Sequence, residues 1–179
     1  GMTGYQEIFT DPSYFGQIVV MTSDHIGNYG VHPDEVESDS IKISGLVCKK
    51  FSPNYSRKQG SGSLDQYFTD FHIVGISDID SRKLVAHLRE SGAQNAIISS
   101  EILDVEALKD ALKEVPDMSG LNLAPDVSTE KFYESIPENA AHRVALIDFG
   151  NKENISRELK KRGCHLGVFP QNTSAAEMM

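Results

Sequence analysis

Residues 144 to 169 constrain the fold more than any other stretch of this chain. Val144-Ala145-Leu146-Ile147 is a short apolar run of strand length. Asp148-Phe149-Gly150 follows as a turn. Lys152 to Arg162 carries Ile155 and Leu159 four apart, which predicts a helix with those two inward, and Gly163 supplies its stop. His165 to Phe169 is a second strand. A strand, a helix and a strand in so short a span make a parallel βαβ unit, expected to cross over right-handed. The chain is therefore an α/β protein, and this unit reads as the opening of a doubly wound domain.

Upstream, the elements are shorter. Gln17 to Thr22 and Ile41 to Phe51 read as strands, with Leu46 and Cys48 on one face of the second. Pro33 to Asp39 reads as a solvated acidic connection, and Gln59-Gly60-Ser61-Gly62-Ser63 as a flexible loop. Leu64 to Phe71 suggests a short helix and Ile73 to Ser77 a buried strand. Asp80 or Ser81 caps a helix with Leu84, Val85 and Leu88 on one stripe and Gly92 as its stop. Ala96 to Ser99 reads as a strand, and Asp104 caps another helix carrying Leu108 and Leu112. Asp117 to His142 is expected to be an irregular linker with a short helix at Thr129–Glu134. The domains fall at 1–142 and 143–179. Residues 144–179 fall below the ~40 that usually fold unaided. They should pack on the first domain or be loosely held, with one face of their sheet uncovered.

Charge narrows the function classes. With 17 Lys and Arg against 26 Asp and Glu, the formal charge is −9, which argues against a binder of nucleic-acid backbone. Lys160-Lys161-Arg162, the densest basic cluster, sits where a helix ends and faces its dipole. No apolar run approaches the ~20 residues of a membrane span. Two cysteines without CxxC spacing, and no N-terminal stretch like a signal peptide, predict a reduced, cytoplasmic protein.

Few residues suggest chemistry of their own. Cys164 precedes His165, but neighbours on a strand point to opposite faces, so that histidine is badly placed to serve the thiol. Cys48 reads as a small core residue. Asp78 and Asp80 are a candidate metal pair, with helix capping the stronger reading for Asp80. The six histidines lack metal-ligand spacing. Asp148-Phe149-Gly150 matches a kinase trio without the other kinase signatures. Neither GxGxxG nor GxxxxGK[ST] occurs.

Several segments together resemble a known family. They are Met2-Thr3-Gly4-Tyr5-Gln6-Glu7-Ile8, Thr10-Asp11-Pro12-Ser13-Tyr14, His25-Ile26-Gly27-Asn28-Tyr29-Gly30 and Ser77-Asp78-Ile79-Asp80-Ser81-Arg82-Lys83-Leu84. Leu88-Arg89-Glu90-Ser91-Gly92-Ala93 and Asp148-Phe149-Gly150-Asn151-Lys152-Glu153-Asn154-Ile155 continue the series. In this order they resemble the small, glutamine-hydrolysing subunit of carbamoyl-phosphate synthetase.

The resemblance implies an N-terminal mixed β/α domain of swivelling β/β/α type that docks on the large synthetase subunit. It implies that a class I glutamine amidotransferase domain opens at 143. In that family a Cys-His-Glu triad releases ammonia from glutamine. The large subunit uses it with bicarbonate, ATP and Mg to make carbamoyl phosphate for arginine and pyrimidine synthesis. No cofactor is expected in this chain, and its expected partners are the large subunit and glutamine, with no nucleic acid or membrane. The family pattern is cut short at both ends, which predicts a partial sequence, with a degenerate relative as the rival. The triad segments are absent, so the chain alone should be inactive, or act as a docking module. Gly1 takes the place of a small residue near the glutamine pocket; a tag remnant or a structural turn around Gly4 are the other readings.

Overall fold

The strand β2 (Gly45–Val47) lies between β1 (Ile18–Val20) and β3 (Val74–Ile76), parallel to both. The computed structural model describes residues 3–178. All three residues of β2 are buried, as suits a parallel strand covered on both faces. The alternation expected for Leu46 and Cys48 therefore gives way to continuous burial through Cys48.

Around β2 one core closes. The helix α1 (Tyr5–Thr10) lays Tyr5 and Phe9 into it, and α2 (Leu64–Asp70) adds Leu64 and Phe68. Ile26, Ile43 and Leu46 complete the centre, and the Phe9 and Phe68 rings sit 5.4 Å apart. Each fully buried aliphatic or aromatic side chain contributes about 1.5–3 kcal/mol of transfer free energy. Ser63 caps α2 by accepting from the Gln66 N–H, and α2 then carries the chain from β2 to β3.

The acidic connection and the Gly/Ser patch are both tied down, contrary to expectation. Val31 donates its N–H to Gly62 and accepts at its carbonyl from the Ser61 N–H and hydroxyl. The Glu37 N–H and the Ser38 hydroxyl bond to Thr10 at the end of α1. Backbone polar groups beside a core need such partners.

Beyond β3 come α3 (Ser81–Ser91), α4 (Val105–Lys113) and the short α5 (Ala124–Val127). Asp80 and Asp104 cap α3 and α4 through the N–H groups of Lys83 and Ala107, as their sequences predict. The stripe of Leu84, Val85 and Leu88 is only half buried, and α3 packs against β1. Ala96 to Ser99 forms no strand, because no described strand pairs with it; Ile98 instead lies over Gly45, where an added Cβ would meet its Cδ1 at 3.3 Å.

The second sheet holds β4 (Tyr133–Ser135), β5 (His142–Asp148) and β6 (Cys164–Pro170), with β6 in the middle. The pair β5 and β6 is parallel, joined through α6 (Glu153–Lys161), so the expected βαβ unit is present. β4 runs antiparallel to β6. It falls where a short helix at Thr129–Glu134 was expected; cross-strand pairing and the contact between the Phe132 and Phe169 rings, tilted with centroids 4.7 Å apart, override the local pattern. Cys164, Leu166 and Val168 form the small core under Val144, Leu146 and Leu159. Ile155 is 48% exposed, and Ser156 takes the inward place expected for it, with its Oγ accepting from the Asn151 amide. A last short helix, α7 (Ala175–Met178), follows.

Candidate functional site

Two of the distinctive sequence segments meet at the start of α1. Gly4 offers no side chain to cap this helix. The cap comes from Tyr29, whose Oη accepts from the Gly4 N–H at 2.6 Å and the Tyr5 N–H at 3.1 Å. In return Tyr5 donates its own hydroxyl to the Gly30 carbonyl at 2.6 Å, and the two rings stack 4.1 Å apart. Gln6, also buried, accepts from the His32 N–H at 2.8 Å.

An open hollow of about 330 Å³ adjoins this knot, lined by Thr3, Gly4, Glu7, Tyr29, Glu35 and Arg57. The Arg57 guanidinium pairs with Glu35 at 2.7 Å and lies 5.8 Å from the centre of the Tyr29 ring. Among the described residues, the buried carboxylate oxygen Oε2 of Glu7 has no hydrogen-bond partner. Burial raises both phenols above their ordinary range, and the neighbouring N–H groups only partly oppose it. Both tyrosines therefore stay protonated at neutral pH. Among the described residues, the hollow presents the Glu7 and Glu35 carboxylates, the Arg57 guanidinium and the Tyr29 phenol, with no cysteine in its lining.

The second constellation is the turn after β5. The Asp148 carboxylate accepts from three N–H groups, those of Thr129 at 2.7 Å, Gly150 at 2.9 Å and Asn151 at 2.6 Å. This is a structural clamp, and it accounts for the Asp148-Phe149-Gly150 trio without phosphoryl transfer. Gly150 has φ 99°, and a Cβ there would approach Val127 and Pro12 at 3.0 and 3.1 Å, so only glycine fits.

Comparison with known proteins decides the family. The model of the carbamoyl-phosphate synthase small chain, CPSase domain, matches residues 1–98. The chain belongs to the carbamoyl-phosphate synthase small-chain family. Among its relatives is the carbamoyl phosphate synthase small chain of Thioalkalivibrio sulfidiphilus, 41% identical across 99% of this chain and 50% of that protein. The small chains of a Synechococcus strain and of Aquifex aeolicus are 42% and 43% identical, over 100% and 94% of this chain and 49% of each relative. The chain thus spans about half the length of the curated relatives it matches.

The small-chain segments that carry the resemblance include the Tyr5–Tyr29 knot and the Asp148 turn. Gly1, the residue read as the edge of a glutamine pocket, lies outside the described residues. Of the other candidates, Asp78 pairs with Lys50 and Asp80 caps α3, so the two carboxylates serve separate partners. Among the described residues no group of three His, Cys, Asp or Glu converges as a metal site. Cys48 is 1% exposed, and burial, followed by the Asp78 charge, pushes its thiol up to about 11. Cys164 is buried while His165 turns to the other face and meets Glu134 at 2.9 Å. Arg57 and Glu35 escaped the sequence reading because they pair across 22 residues, and Glu7 because only folding brings it to the same hollow.

Proposed function

We propose that this chain forms the docking portion of a carbamoyl-phosphate synthase small subunit. In that enzyme the small subunit takes ammonia from glutamine and passes it to a large subunit. The large subunit, with bicarbonate, ATP and Mg, makes carbamoyl phosphate for arginine and pyrimidine synthesis in the cytoplasm. Residues 1–142 are the docking domain, and 143–179 open the glutamine amidotransferase domain, with β4 reaching across to its sheet. The observation that carries this reading is the family match over residues 1–98, continued by relatives about two-fifths identical along the chain. No helix among the described residues is long and apolar enough to cross a membrane.

The glutamine-splitting step does not belong to this chain's own thiols. A thioester mechanism needs a thiolate with a base in reach. Cys48 is held protonated by burial, and the neighbour of Cys164 is engaged on the opposite face. In this reading Gly1, which lies outside the described residues, is the residue at the edge of the glutamine pocket.

The test is reconstitution. Mixed with the large subunit, the purified chain should co-elute with it and release no ammonia from glutamine. Failure to co-elute counts against the docking role. Ammonia release abolished by Cys164→Ser overturns the assignment of chemistry elsewhere.

A further inference from the structure

The two cores of this molecule share no side chain: one gathers residues between Tyr5 and Ile73, the other residues between Val144 and Val168. What joins them along one seam is mainly polar. Lys152 offers no side-chain cap to α6. Glu37, far upstream, takes that place: its carbonyl accepts from the Glu153 N–H and its carboxylate from the Asn154 N–H, both at 2.9 Å. One turn further on, the Arg157 guanidinium donates to the Val36 carbonyl at 2.7 Å. Lys152 meets the buried Asp11 carboxylate at 2.7 Å. Pro12 and Gly150 supply the close approach beside these contacts.

We propose that the Glu37 cap on α6, with Arg157–Val36 and Lys152–Asp11, is a releasable latch that sets how the C-terminal βαβ unit sits on the N-terminal core. Three features carry this. The latch closes the end of a helix that has no cap of its own, so its release alters α6 locally as well as at the seam. Its contacts are hydrogen bonds and an ion pair, which exchange for water with little loss, unlike an interlocked apolar core. The two buried clusters are built from separate side chains, so opening the seam removes no residue from either. The latch is thus a conformational device: closed, it fixes one placement of the two units; open, it leaves both folded and free to turn against each other.

The experiment uses the full chain with Glu37→Ala, Arg157→Ala and the milder Glu37→Gln, which keeps an acceptor without the charge. Spin labels at Gln66→Cys on α2 and Lys160→Cys on α6, both exposed, report the placement; the native thiols are buried. The expected result is a broadened distance distribution in both alanine variants. Amide exchange in the first turn of α6 should rise about tenfold, with Glu37→Gln between. Exchange in α1, β2 and α2 should stay at the wild-type level. An unchanged distance distribution reduces Glu37 to a local cap and overturns the latch. A parallel rise of exchange in α1, β2 and α2, or loss of folding, shows one cooperative body and overturns it as well.

Discussion

β2 and β6 are both central parallel strands, and they differ in what covers their faces. The helices and loops of the N-terminal unit bury every residue of β2, although Gly75 and Ile76 of β3, expected to be a buried strand, are exposed at the sheet edge. On β6, Cys164, Leu166 and Val168 are buried toward α6, while His165, Gly167 and Phe169 on the other face are only partly covered. Phe149 at the end of β5 is 62% exposed. The comparison teaches that a strand can have its hydrogen-bond ladder complete while one of its faces is only partly covered. The N-terminal core is closed, and the C-terminal sheet is dressed on one side.

That contrast is open to measurement, beginning with the deepest residues. Leu46→Ala should cost about 3–4 kcal/mol, because Leu46 is fully buried at the centre of its core. Leu166→Ala, in a core of three buried side chains, should cost nearer ~2 kcal/mol. Urea unfolding with residue-resolved hydrogen exchange separates the two. If Leu166→Ala loosens the Tyr5–Phe68 core as much as its own sheet, the division into two cores is wrong.

Gly150→Ala should come next, at about 1–3 kcal/mol, from a positive φ and the tight approach to Val127 and Pro12. Its effect should appear at the turn after β5 and spare α2. Thermal unfolding gives the magnitude, and full retention of wild-type stability would refute the fit of the Asp148 clamp.

Tyr29→Phe keeps the stacked ring and removes only the acceptor for the Gly4 and Tyr5 N–H groups. A loss of about 1–2 kcal/mol is expected, with exchange rising first at the start of α1. A uniform rise through both units would contradict the placement of this effect.

The smallest effect is electrostatic. Burial works to raise the Asp11 carboxyl, but Lys152 and the Ser13 N–H and hydroxyl outweigh it and hold it below its ordinary range. The Lys152 ammonium is raised in turn, chiefly by its hydrogen bond to Asp11, with Glu37 and Tyr14 nearby. A depressed carboxyl contributes stability above its unfolded value and loses it as pH falls through its folded value. A raised lysine contributes below its unfolded value and loses it as pH rises through its folded value. The pair therefore supports the seam across the neutral range and fails at either extreme. With Lys152 44% exposed, the advantage over Asp11→Asn should stay under about 1 kcal/mol at neutral pH. A difference that persists below Asp11's folded value would show that the ion pair is not its source.

Legibility in the sequence followed the range of the interaction that fixes each element. The helices α3 and α4 carry Asp80 and Asp104 as caps, and both were readable. The βαβ unit was readable because its apolar runs, its helix and Gly163 lie in one span. α1 was not, because its cap is Tyr29. β4 was not, because its partner β6 lies some thirty residues on, and the local sequence around Thr129–Glu134 favours a helix. The family was legible in segments such as Met2–Ile8 and His25–Gly30, since such runs identify relatives whatever shape they take. The hollow beside Tyr29 was not, because Glu7, Glu35 and Arg57 converge only after the chain has folded.

The borrowed caps on α1 and α6 also bear on the order in which the chain can be made. Tyr29 is synthesised after α1, so that helix must wait for a later stretch of chain before its first N–H groups are satisfied. Glu37 precedes α6 by more than a hundred residues, so the anchor for that helix is in place before it emerges. A growing chain thus completes α1 only after Tyr29 has followed, and can dock α6 as soon as it appears, on a surface already built.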